Sequence, residues 1–152
     1  MEYKKLNELT NEDLKDLELS KCELRHNISK DYGHSYTCET LIGDYHLKFQ
    51  KNFNELVYYT ILGVQGIKEA GKVVSVNCYR RWTKGISKNG SPYYQVQLIF
   101  GKQTFLTRMI SNRELALFNI WVQNKKIKPI NWIEVPESLG IEDSFEMDLE
   151  TE

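Results

Sequence analysis

The chain has 152 residues, 41% of them hydrophobic and 27% charged, and a formal net charge of −1. That composition suits one globular domain with its own core and argues neither for disorder nor for a membrane protein; no apolar run approaches the roughly 20 residues of a membrane-spanning helix. Three cysteines do not read as a disulfide framework, and with an N-terminus that lacks the apolar core of a signal peptide they lead us to expect a cytoplasmic protein.

Residues 1–30 are polar and helix-compatible. Thr10 is placed to cap, Glu12 and Asp13 put acids in a first turn, and Leu14 and Leu17 form a narrow apolar stripe, so one short amphipathic helix packed on the rest is expected. The stretch SYTCETLIGDYHLKFQ alternates like a hairpin about Gly43-Asp44, with Tyr45, Leu47 and Phe49 on one face. FNELVYYTILGVQG fits either a short helix capped at Asn54 or a buried strand, and periodicity does not decide between them.

The chain then enters a clear hairpin. From Lys72 to Trp82, Val74, Val76 and Cys78 face one way and Ser75, Asn77, Tyr79 and Arg81 the other. Asn89-Gly90 suits a tight turn after Lys88, and in YYQVQLIF the residues Tyr94, Val96, Leu98 and Phe100 are expected inward, with Tyr93, Gln95, Gln97 and Ile99 outward. QTFLTRMI makes a third strand through a short Gly101-Lys102 connection. Ser111 and Glu114 then form a capping box, and Leu115, Phe118 and Val122 follow at helical spacing until about Asn124. A basic loop, KKIKP, leads to a last short strand around Trp132 to Val135. The expected fold is a single α+β domain over residues 1–136: a curved, mostly antiparallel sheet, compatible with an irregular oligonucleotide-binding barrel, with an N-terminal and one internal helix. An acidic tail, 137–152, follows.

Charge is strongly polarised along this order. Residues 68–128 hold twelve Lys and Arg against Glu69 and Glu114, a local charge of +10; residues 137–152 hold seven acids and no base, a local charge of −7. Cations displace counterions condensed on phosphates, and flat aromatic side chains give unstacked bases a platform. Tyr79, Arg81, Tyr93, Gln95 and Gln97 supply such groups on the expected open face. Trp82, Lys84 and Lys88 extend it toward the hairpin tip where the strand twists or bulges after Cys78; Arg80, with Arg81, Lys84 and Lys88, is expected to neutralise phosphates, and Lys102 and the 125–128 loop lengthen the path. The competing interpretation is that these aromatics cover a core, since strands are rich in aromatics anyway. In the tail, Phe145, Glu146, Met147 and Asp148 belong to an acidic-hydrophobic alternation suited to partner binding, or to folding back on the basic face.

The hairpin VVSVNCYRRWTKGISKNGSPYYQVQLIF, one more strand, a capped helix and a terminal acidic tail together resemble single-stranded DNA-binding proteins of the oligonucleotide-binding barrel class, especially small phage versions. The resemblance covers roughly residues 72–152. It implies a barrel face that holds DNA through aromatic and basic residues, and a tail that recruits replication or repair proteins. No cofactor is expected.

Cys22, His26, His34 and Cys38 are spaced as C-x3-H-x7-H-x3-C, four ligand types that zinc accepts. Without a Cys-x2-Cys knuckle, and with Cys38 in an expected strand, we read two surface histidines and two half-buried cysteines, and no metal. No phosphate loop, Gly-x-Ser-x-Gly elbow or His-Glu-x-x-His motif occurs, so a non-enzymatic role is expected. The rival to nucleic-acid binding is a small protein-binding inhibitor, such as a phage anti-CRISPR or other anti-defence factor, which the same charge polarity would serve.

Overall fold

A computed structural model describes residues 3–31, 33–50, 53–68, 71–101 and 104–136. Six strands form one antiparallel sheet: β1 (Glu18–Ser29), β2 (Gly33–Ile42), β3 (Tyr45–Phe49), β4 (Val73–Ile86), β5 (Pro92–Gly101) and β6 (Thr104–Met109), in the spatial order β3-β2-β1-β4-β5-β6. The sheet curls into a half-barrel, and a seventh strand, β7 (Trp132–Glu134), runs parallel to β4 with Trp132 opposite Trp82. With helices α1 (Asn11–Lys15), α2 (Glu55–Val64) and α3 (Asn112–Gln123), this is the single α+β domain with a curved sheet that the sequence leads one to expect.

Two local devices set the path of the chain. Asn54 settles the ambiguous segment as helix: its Oδ1 accepts the Val57 N–H at 3.0 Å, and Tyr58, Ile61 and Leu62, at helical spacing, turn into the core. Gly43 turns the chain from β2 to β3 at φ +60°, and a Cβ added there would lie 3.0 Å from both Ile127 and Trp121. Gly43→Ala therefore combines a left-handed backbone with a steric contact, and we expect it to cost about 1–3 kcal/mol, read from a denaturant midpoint. An unchanged midpoint would mean the turn relaxes freely.

Residues 1–30 differ from expectation. The short capped helix is present, with the Thr10 hydroxyl accepting the Asp13 N–H at 3.2 Å. Beyond it lies a twelve-residue strand, β1, which joins the two hairpins by pairing with both β2 and β4. Only Cys22 and Leu24 of β1 are buried; Lys21, Glu23 and Arg25 alternate with them and Leu19 and Ile28 are exposed, so the apolar alternation that betrays a strand is just two residues long.

A main core fills the hollow of the sheet, with Leu24, Leu47, Ile61, Val96, Leu98 and Phe118 fully enclosed. A second, smaller core lies on the outer face. There Leu6, Leu9 and Leu14 from the N-terminal segment cover Ile99 and pack against Tyr79 and Phe105. Both faces of β5 are consequently buried from Gln95 to Phe100.

Candidate nucleic-acid interface

The outer face of the β4–β5 hairpin is closed, which corrects the open face expected from alternation. Arg81 is 1% exposed. Its Nε donates to Gln97 Oε1 and its Nη1 to the Lys4 carbonyl, both at 2.6 Å, while the Tyr3 ring lies 5.0 Å from the guanidinium. Gln95 and Gln97 are buried as well; the Thr83 hydroxyl donates to Gln95 Oε1 at 3.4 Å, and Gln95 Nε2 reaches Met109 Sδ. These side chains form a buried polar layer on the outer side of the sheet, tied to the N-terminal segment through Arg81, where each gains hydrogen bonds that offset its desolvation.

The aromatics have comparable structural roles. Tyr79 is half-buried in the second core, and the Tyr93 ring lies over Gly85, where an added Cβ would come within 2.6 Å of the phenol oxygen. Trp82 is buried, edge-on to Phe118 and Trp132. Among the cations, Lys84 is half-exposed at 3.8 Å from Glu134, and Lys88 is exposed at the hairpin turn. Lys102 and the tail residues Phe145, Glu146, Met147 and Asp148 lie outside the described residues.

A different surface brings basic groups together. A cleft of about 470 Å³ opens between Asp16–Glu18, the β2–β3 turn, Arg80–Trp82 of β4 and the loop 126–131. Arg80, Lys126 and Lys128 line it, facing the carboxylates of Asp16 and Glu18. Lys126 Nζ sits 2.9 Å from Asp44 and 4.3 Å above the Trp121 ring, while Lys128 is exposed. A neighbouring hollow of about 330 Å³, lined by Lys84, Pro92, Tyr94 and Glu134, lies on the way to the Lys88 turn.

The loop is held in place by α3. Glu114, buried at the helix start, accepts two hydrogen bonds from Arg108 at 2.9 Å each, one from the Tyr45 hydroxyl at 2.5 Å and one from the Ser111 N–H at 3.0 Å. Burial alone would raise its pKa; the donors from Arg108, Tyr45 and Ser111 outweigh it and hold the carboxyl at about 2. At the other end of the helix, Lys125 takes a positive φ of 58° and the Lys126 N–H returns to the Trp121 carbonyl at 2.8 Å, which aims the basic loop at the cleft.

The cysteine-histidine set is divided. His26 and His34 meet, Nε2 to Nδ1 at 2.6 Å, on the surface hairpin of β1 and β2. Cys22 and Cys38 are not half-buried as expected but enclosed in the core with Cys78, all three as free thiols. Hydrogen bonding with Cys38, together with burial, pushes the Cys22 thiol up, and the same effects, through Cys22, push up Cys78, so the Cys22 and Cys78 sulfurs are inert packing groups. Among the described residues, no cluster of three or more His, Cys, Asp or Glu side chains is placed to hold a metal ion, and no helix is long and apolar enough to cross a membrane.

No family model, curated protein or solved structure matches this chain.

Proposed function

We propose that the protein binds single-stranded nucleic acid, without catalysis, along the cleft beside β4. The observation that carries this reading is the convergence of Arg80, Lys126 and Lys128 on one cleft within the most basic part of the chain. Phosphates lie against these cations, and the strand continues past Lys84 and the half-buried Tyr94 toward Lys88. The curled sheet and the acidic tail fit the resemblance to phage single-stranded DNA-binding proteins, with the tail competing for the same cations or docking a replication, repair or defence protein.

Fluorescence anisotropy with labelled single-stranded and duplex oligonucleotides over a salt series tests the reading. The expected result is preference for the single strand, with log affinity falling against log salt by about 0.7 per neutralised phosphate. Replacing Lys126 and Lys128 together by alanine should lower that slope by roughly 1.4 and leave the melting temperature almost unchanged. Absence of binding at low salt sinks the proposal.

A second reading, a small protein-binding inhibitor of the anti-CRISPR or anti-defence kind, is favoured by one observation. Leu56 and Tyr59, one turn apart on α2, are 75% and 51% exposed, and Tyr36 lies against Tyr59. Such an apolar surface suits a protein partner better than a phosphate backbone.

A further inference from the structure

Arg80 is, like Arg81, a buried arginine, but it lies on the opposite face of β4. It is 8% exposed and lies on the inner face of β4 among core residues. Its Nη1 is held by the Thr40 hydroxyl at 3.3 Å and the Leu41 carbonyl at 3.4 Å, and its plane sits 5.6 Å from the centre of Trp82. Nη2 donates to Glu18 Oε1, and the second oxygen of that carboxylate accepts the Trp82 indole N–H at 3.4 Å. Nε, shielded from water, has no hydrogen-bond partner.

The guanidinium is a rigid planar fork, and Nε and Nη2 lie along one of its edges, the edge that recognises planar or tetrahedral oxyanions through two parallel hydrogen bonds. Here only half of that edge is used. A carboxylate has two oxygens, and Glu18 places one on Nη2 and the other on the indole, which leaves Nε unsatisfied. Free phosphate offers a third oxygen and can take Nε, Nη2 and the indole N–H together. A backbone phosphodiester, not tethered to β1 as Glu18 is, can set one of its two non-bridging oxygens on Nε and share the other between Nη2 and the indole N–H. Glu18 is also the natural group to leave. It is the first residue of β1, its side chain is 50% exposed, and it can swing into solvent without moving the sheet.

We propose that the Arg80 fork and the Trp82 indole N–H form a phosphate-binding subsite that Glu18 occupies as an internal carboxylate until a phosphate displaces it. Lys126 and Lys128, lining the same cleft, supply the field that draws the anion in. No covalent step is involved; one anion replaces another. The proposal rests on the nucleic-acid reading only for the source of the phosphate, a backbone phosphodiester as opposed to a free phosphate ion.

The test follows the Trp82 indole N–H by ¹H–¹⁵N spectroscopy of the full chain, assigned with Trp121→Phe and Trp132→Phe variants, during titration with inorganic phosphate, with a short single-stranded oligonucleotide, and with chloride at matched ionic strength. The expected result is a saturable shift of that one resonance with phosphate and with oligonucleotide but not with chloride. Glu18→Gln, which removes the competing charge, should tighten oligonucleotide binding about fivefold, the order of one like-charge contact in water. Arg80→Lys, which keeps the charge and loses the forked edge, should abolish the indole response; a melting curve for each variant separates loss of the subsite from loss of the fold. Oligonucleotide binding with a silent Trp82 and an unchanged Glu18→Gln affinity overturns the subsite and leaves the nucleic-acid reading standing. A phosphate response without oligonucleotide binding upholds the subsite for free phosphate and overturns that reading. Silence in both arms, or an equal response to chloride, ends the subsite proposal.

Discussion

Replacing Glu114 by alanine is expected to lower the stability of the fold by about 3–5 kcal/mol, the range for stripping one partner from a buried ion pair. The size follows from what the carboxylate holds. It joins Arg108 in β6, the Tyr45 hydroxyl in β3 and the Ser111 amide at the start of α3, so its removal strands donors on three elements at once. Because the folded-state pKa of about 2 lies below the ordinary 4.5, the stabilisation is fully present above pH 4.5 and is lost as pH falls through about 2. Urea unfolding of both proteins between pH 7 and pH 2 checks this. The gap between them should be widest at neutral pH and narrow toward pH 2. A gap that stays constant would mean that the lost contribution is packing and not the ionised carboxylate.

Much of the fold was legible in the chain because its signals are local. The Ser111–Glu114 capping box, the Gly43 turn and the alternation in β4 and β5 each act within a few residues, and each is where it was expected. The candidate site was far less legible. Alternation correctly separates Arg81, Gln95 and Gln97 from Val96 and Leu98, but it says only that a strand has two faces, not which face stays wet. The cover comes from the N-terminal segment, with Tyr3 and Lys4 against Arg81 and Leu6, Leu9 and Leu14 against Ile99, all more than sixty residues away in sequence. A hint was present: Leu6 and Leu9 lie ahead of α1, outside the stripe of so short a helix, and needed a surface of their own. Sequence alone makes Arg80 a phosphate contact; its position on the core side of β4 depends on the start of β1 bringing Glu18 opposite it, and β1 buries too few apolar residues to announce itself as a strand.

Phe118→Ala is expected to cost about 3–5 kcal/mol and, unlike any surface substitution, to weaken stability and ligand binding together. Phe118 is 0% exposed and its ring meets Tyr45 of β3, Trp82 of β4 and Trp121 of its own helix edge-on or tilted. Glu114 and Phe118 are the two buried residues of α3 and stand four positions apart, so one polar and one apolar contact dock the same face of that helix. Two consequences are measurable. Because each contact depends on the helix being docked, the double variant should lose less than the sum of the single losses, a coupling of about 0.5–3 kcal/mol in a double-mutant cycle. And because α3 ends in the loop that carries Lys126 and Lys128 to the cleft, a loosened helix should lower oligonucleotide affinity under conditions where Phe118→Ala is still folded. The lysine double variant gives the opposite pattern, weaker binding at unchanged stability. If Phe118→Ala is destabilised yet binds the oligonucleotide as tightly as the parent, the basic loop is not part of the binding surface, and the strand must lie elsewhere on the protein.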